Sequence, residues 1–132
     1  MSVRPGARTT VLVVDDSEIA CESVRHTLAQ ANVQVVTLNS PFGFIKAIRE
    51  SHPSLILVDV GLGILNGAKL VQLGRRNAPP GCPILLYSSR DKALLEQDMT
   101  SSGADGYITK STTGTALVET VQRWLRMPPN PR

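Results

Sequence analysis

A doubly wound α/β fold is predicted, with five parallel strands alternating with five helices that cover both faces of one sheet. Three observations predict it. Short apolar runs alternate along the chain with longer segments whose apolar residues recur every three or four positions. The runs are continuous rather than interleaved with polar residues, as strands buried on both faces require. The chain has 132 residues, 42% hydrophobic and 19% charged, which suits one packed domain rather than two domains or a disordered segment.

Residues 11–14 are the first strand. Ser17 caps the helix that follows, because its hydroxyl can accept a backbone N–H of the first turn. Ala20, Val24, Leu28 and Ala31 supply that helix with an apolar face. Residues 33–38, β-branched and apolar, are the second strand. Pro41 opens a second helix with Phe44, Ile45, Ala47 and Ile48 as its apolar residues. His52-Pro53 ends it after Ser51, since the residue before a proline avoids helical angles. Residues 55–58 are the third strand. A glycine-bearing loop, 61–67, leads to a helix over 68–76, and Ala78-Pro79-Pro80-Gly81 breaks the chain. Residues 83–87 are the fourth strand, and Asp91 caps a fourth helix that ends near Gly103. Its apolar patterning is thin (Ala93, Leu94 or Leu95, Met99), which suits a movable element. Residues 106–109 are the fifth strand. Thr112 or Thr113 caps the last helix, where Leu117, Val121, Trp124 and Leu125 form one stripe and Glu119 precedes Arg123 by four. Residues 1–9 read as a flexible arm, 10–126 as the domain, and 127–132 as a proline-rich tail or linker stub.

Composition excludes several classes. No apolar run approaches the roughly 20 residues of a membrane span. Arg4 and Arg8 are followed by only a short apolar run before Asp15-Asp16, so no secretory leader is read. Cys21 and Cys82 stand far apart, in neither disulfide-scaffold nor zinc-type spacing. They are expected as small buried hydrophobes in a reducing, cytoplasmic setting. His26 and His52 are expected on exposed helix surfaces. Net charge is +3, the basic residues are scattered, and aromatics are 4%. No direct nucleic-acid partner and no membrane partner is expected.

In such a sheet the functional crevice lies beyond the carboxyl ends of the strands. Asp15 and Asp16 follow the first strand, Asp59 the third, Ser88 the fourth and Lys110 the fifth. Three carboxylates on one rim repel each other, so either some hold protons or a cation joins them. An all-oxygen donor set selects a hard cation, and Mg²⁺ is the default. Lys110 and Ser88 add donors for a second anion. A cation, a lysine, a hydroxyl and a spare carboxylate suit phosphoryl chemistry on that carboxylate.

Four segments, VLVVDDS at 11–17, LILVDVGLGILNG at 55–67, PILLYSS at 83–89 and GADGYITKS at 103–111, resemble the receiver domain of response regulators. That domain is the phosphoaccepting half of two-component signalling, and the resemblance covers residues 10–126. It implies a flavodoxin-like (βα)5 fold with sheet order 2-1-3-4-5. It implies Asp59 as phosphoacceptor, and Asp15, Asp16, Asp59 and the backbone carbonyl of Gly61 as Mg²⁺ ligands. Ser88 becomes the switch hydroxyl, Tyr107 the switch aromatic and Lys110 the phosphoryl-binding lysine. Gly61 and Arg90 fall where the family tunes hydrolysis. The implied event is transfer from a sensor histidine kinase or phosphotransfer protein to Asp59. Ser88 then moves to the phosphoryl group and Tyr107 packs inward. The surface of helix 4, strand 5 and helix 5 changes for a downstream target, a fused output domain or a homodimer partner. Such a protein is a signalling switch that catalyses only its own phosphorylation and dephosphorylation.

The chain departs from the family's pattern at four places. Ser111 follows Lys110 where a proline in a cis peptide is usual. A cis bond to a non-proline residue costs about 2.5–4 kcal/mol, so a trans bond is expected. Gly61-Leu62-Gly63 replaces the usual Met-Pro pair and loosens that loop. Gly61 obstructs an incoming water little, while Arg90 can shield a phosphoryl group. Ser88 replaces the commoner threonine. None of these removes a group that phosphorylation needs; the alternative is a pseudo-receiver that binds partners without being phosphorylated. A dinucleotide reading of the glycine loop fails, because Asp59 would repel a pyrophosphate and that fingerprint belongs to the first strand. An aspartate-nucleophile phosphatase would carry a second aspartate where Gly61 stands.

Overall fold

In a computed structural model, which describes residues 9–61 and 67–127, the alternation is complete. The elements are β1 (Thr9–Val14), α1 (Glu18–Ala29), β2 (Val33–Leu38), α2 (Phe44–Ser51) and β3 (Leu55–Val58). There follow α3 (Gly67–Asn77), β4 (Ile84–Ser88), α4 (Lys92–Ser102), β5 (Gly106–Thr109) and α5 (Gly114–Arg126). The strands pair in parallel in the order β2-β1-β3-β4-β5. The fold class and strand order are those expected. The arm over 1–8, the loop over 62–66 and the tail over 128–132 lie outside the described residues. Among the described residues no helix is long and apolar enough to cross a membrane.

The continuous apolar runs are explained by two cores. Side chains alternate across a strand, so each run feeds both faces. Val11, Val13, Leu55, Leu57 and Leu85 pack with Cys21, Val24 and Leu28 of α1 and Leu117 and Val121 of α5. Leu12, Val14, Ile56, Val58, Ile84 and Leu86 pack with Phe44 and Ile48 of α2, Leu70 and Val71 of α3, and Leu95 of α4. Burial of each large apolar side chain is worth about 1.5–3 kcal/mol relative to exposure. Cys21 and Cys82 are buried, and His26 and His52 are exposed, as expected.

Three local expectations are corrected. Helix α2 begins at Phe44, not Pro41. Residues before it form a turn in which the Phe42 N–H donates to Ser40 Oγ at 3.2 Å. Gly43 takes φ 84°, a conformation open to glycine, and leaves Phe42 69% exposed. The helix starts only where its stripe, Phe44 and Ile48, meets the core. On α1 the buried face runs through Cys21 rather than Ala20. Ser17 does cap it, accepting the Ala20 N–H at 3.1 Å, and Asp91 caps α4 through the Ala93 N–H at 2.8 Å. Thr113 occupies the cap position of α5 but its side chain makes no capping bond, and the Thr112 hydroxyl bonds Thr109 instead.

Helix α4 is anchored thinly, with only Leu95 and Ser102 buried. Helix α5 is anchored closely. A Cβ on Gly106 would lie 2.6 and 2.9 Å from ring carbons of Trp124, contacts a rigid indole cannot relieve. Gly106→Ala is therefore expected to cost about 1–3 kcal/mol of stability, measured as a lower denaturant midpoint at unchanged m-value. An unchanged midpoint would mean that α5 shifts freely over β5.

Candidate functional site

Strand register builds the site. Val14 of β1 pairs with both Leu38 of β2 and Val58 of β3, so the residues that follow leave the sheet side by side. The Asp59 N–H donates to Val14 O at 2.9 Å, and the Asp15 N–H to Leu38 O at 2.9 Å. On the other side, Ser88 of β4 pairs with Thr109 of β5, and the Lys110 N–H donates to Ser88 O at 2.8 Å. All five strand-end residues thereby share one rim.

One oxygen from each of Asp15, Asp16 and Asp59 lies within 4.8 Å of the others. Asp15 is fully buried, Asp59 is 8% exposed and Asp16 is exposed. Lys110 Nζ stands 2.6 Å from Asp15 Oδ2 and 3.9 Å from Asp59 Oδ2. Its ammonium also lies over the Tyr87 ring, 5.5 Å from the centroid. Asp15 Oδ1 accepts the Ser17 N–H at 2.9 Å, so the same carboxylate shapes the entry to α1. Asp59 Oδ1 accepts the Gly61 N–H at 3.3 Å.

Burial and these distances together set the electrostatics. The lysine neutralises Asp15 first and leaves Asp59 undercompensated. Burial, and then the charge on Asp15, hold the Asp59 carboxyl above its ordinary value of 3.8, against the opposing pull of Lys110 and the Gly61 N–H. Burial likewise raises the Cys21 thiol, which stays neutral beside Asp15.

The donor set fits a hard divalent cation, because all three groups are carboxylates. Asp15 Oδ2 is buried and receives no directed hydrogen bond, Lys110 approaching it only as a charge. A Cβ at Gly61 would lie 3.8 Å from Asp59 Oδ2, so glycine leaves the approach to that oxygen open.

The structure brings Asp15, Asp16, Asp59, Gly61 and Lys110 together. Ser88, 3% exposed, is joined to them through the Lys110 backbone, and its Oγ accepts the Arg90 N–H at 3.1 Å. Arg90 turns its guanidinium to α4, with Nε 3.0 Å from Asp98 Oδ2. Tyr107 also turns to α4, its hydroxyl donating to Glu96 Oε1 at 3.3 Å. The Lys110–Ser111 peptide is trans. Sequence reasoning missed Asn39 and Tyr87. Asn39 Nδ2 donates to the Asp15 carbonyl at 3.2 Å and ties the β2 rim to β1. Its signal was available, since it follows a strand end as the other site residues do. Tyr87 carried no such signal, because it sits inside β4.

Comparison with known proteins agrees with this geometry. The family profile of the response regulator receiver domain matches residues 11–122. The chain is 30% identical over 105 residues to the probable transcriptional regulatory protein TcrX of Mycobacterium tuberculosis, covering 80% of this chain and 44% of that protein. It is 32% identical over 116 residues to the autoinducer 1 sensor kinase/phosphatase LuxN of Vibrio harveyi, covering 88% of this chain and 13% of that protein. It thus spans less than half of each of these two relatives. The solved structure of chemotaxis protein CheY4 of Vibrio cholerae superposes with a TM-score of 0.78 at 26% identity, covering 89% of this chain and 98% of that one. By profile, sequence and fold, the chain belongs to the response regulator receiver domain family, the signalling switches of two-component systems.

Proposed function

We propose that Asp59 accepts a phosphoryl group from a phosphohistidine donor, and that the resulting change is read on the face formed by α4, β5 and α5. The observation that carries this is a nearly buried carboxylate, open past Gly61, 3.9 Å from a lysine and beside two further carboxylates. An Asp59 oxygen forms the new bond to phosphorus as the phosphorus–nitrogen bond of the donor breaks. The electron pair leaves with the imidazole nitrogen. Lys110 donates to the phosphoryl oxygens, which compete with Asp15 for its ammonium. Ser88 ends β4 beside Lys110, and its hydroxyl donates to a phosphoryl oxygen once it leaves the Arg90 N–H that it accepts in the unphosphorylated protein. Asp15, Asp16 and Asp59, with the Gly61 carbonyl, would hold Mg²⁺, which supplies neutralisation of the charge built up on the phosphoryl group.

Lys110 reaches both carboxylates with a trans bond to Ser111, which speaks against a pseudo-receiver. The relatives include a transcriptional regulatory protein and a sensor kinase, which supports a kinase or phosphotransfer donor and a target or fused output domain as partners. A homodimer through the same α4–β5–α5 face is the remaining partner on this reading. The test is incubation with acetyl phosphate and Mg²⁺, read by intact mass. A gain of one phosphoryl group, lost when Mg²⁺ is chelated, is the expected result. No gain from acetyl phosphate or from a phosphorylated kinase would overturn the proposal.

A further inference from the structure

The β4–α4 turn is tied to α4 by one charged contact. Arg90 Nε lies 3.0 Å from Asp98 Oδ2, with the two side chains 47% and 29% exposed. Asp98 Oδ2 is itself buried and takes no directed hydrogen bond, so Arg90 is its charge partner. The backbone of the same arginine donates to Ser88 Oγ at 3.1 Å. A chain of two contacts therefore runs from the middle of α4 through Arg90 to the buried hydroxyl at the acidic rim. It ends on a helix whose buried residues are Leu95 and Ser102, with Met99 partly buried against the same core. With so few buried residues on α4, a weak ion pair has leverage there.

We propose that Asp98 is a positioning residue: through Arg90 it holds the Ser88 hydroxyl in the β4–α4 turn and withholds it from the phosphoryl site. The inference rests on the reading of Asp59 as phosphoacceptor. When a phosphoryl group draws on Ser88, the Arg90 N–H loses its acceptor and the guanidinium loses the geometry that holds it on Asp98. Helix α4 is then released on that side. Conversely, a partner that moves α4 pulls Arg90 away and frees the hydroxyl, so the coupling is reciprocal.

Asp98→Asn removes the charge at nearly constant shape. A half-exposed ion pair has the strength to change a rate about twofold to fivefold. Asp98→Asn is expected to take up phosphoryl from acetyl phosphate faster by that factor. In an Arg90→Ala background the same substitution is expected to have no effect, because its target is gone. Hydrogen exchange of the Arg90 amide, followed by NMR with no donor present, is expected to quicken about twofold to fivefold in Asp98→Asn as well. An equal acceleration of uptake in both backgrounds would overturn the proposal, since Asp98 would then act on α4 without Arg90. An unchanged Arg90 amide would overturn it too. If the wild-type protein takes up no phosphoryl group, the reading of Asp59 fails, and the amide exchange alone still decides whether Asp98 positions Arg90.

Discussion

Asp59→Asn is expected to abolish phosphoryl uptake and, in the same protein, to raise stability at neutral pH. The first effect follows from chemistry. The amide keeps the size of the carboxylate and its acceptor for the Gly61 N–H, but it is not a nucleophile toward phosphorus. The second follows from the raised Asp59 carboxyl, whose causes are burial first and Asp15 second. Between the ordinary value near 3.8 and the raised folded value, the folded chain binds more protons than the unfolded one. Stability therefore falls as pH rises through that window, and above it the whole cost persists. Asn removes the cost, so the variant gains stability at neutral pH and the gain disappears below the window. Denaturant unfolding in chelator, at neutral and at acid pH, measures it; the chelator matters because a bound cation would offset the same repulsion. A variant less stable than wild type at neutral pH would mean that Lys110 outweighs burial and Asp15.

Lys110→Met is expected to act in the opposite direction and more strongly. It leaves Asp15, fully buried, without the ammonium 2.6 Å away. Breaking a buried pair by removing one partner costs about 3–5 kcal/mol, because the remaining charge stays desolvated. Much of that loss should return in Lys110→Met combined with Asp15→Asn, which removes both charges. Phosphoryl uptake should fall about a hundredfold or more in Lys110→Met, since a preorganised donor to the phosphoryl oxygens is gone. A loss of stability below about 1 kcal/mol would show that the pair behaves as a solvent-screened surface contact instead.

Much of the fold was legible because its signals are local. Unbroken runs such as residues 11–14 and 55–58 announce strands buried on both faces, and both are fully buried. Ser17 and Asp91 announce helix starts through side-chain oxygens that reach their own first turns. The start of α2 was misread for the converse reason. Pro41 is a valid local signal for a helix start, but the apolar stripe through Phe44 and Ile48 decides where that helix can lie on the sheet.

Three carboxylates, a hydroxyl and a lysine stand at the strand ends, and their order along the chain is specific enough to indicate the family. Tertiary structure alone decided how those groups divide their interactions. Lys110 sits on Asp15 rather than Asp59, Arg90 faces Asp98 rather than the rim, and Asn39 supports Asp15 from a neighbouring strand. The physical reason is range. Periodicity and caps act within a few residues, whereas a Coulomb contact depends on distance and burial between segments far apart in the chain. Lys110 stands 2.6 Å from Asp15 and 3.9 Å from Asp59, so at Asp59 it offsets only part of the rise caused by burial and by the Asp15 charge. Strand register and side-chain packing set such differences, and they exist only once the sheet has formed.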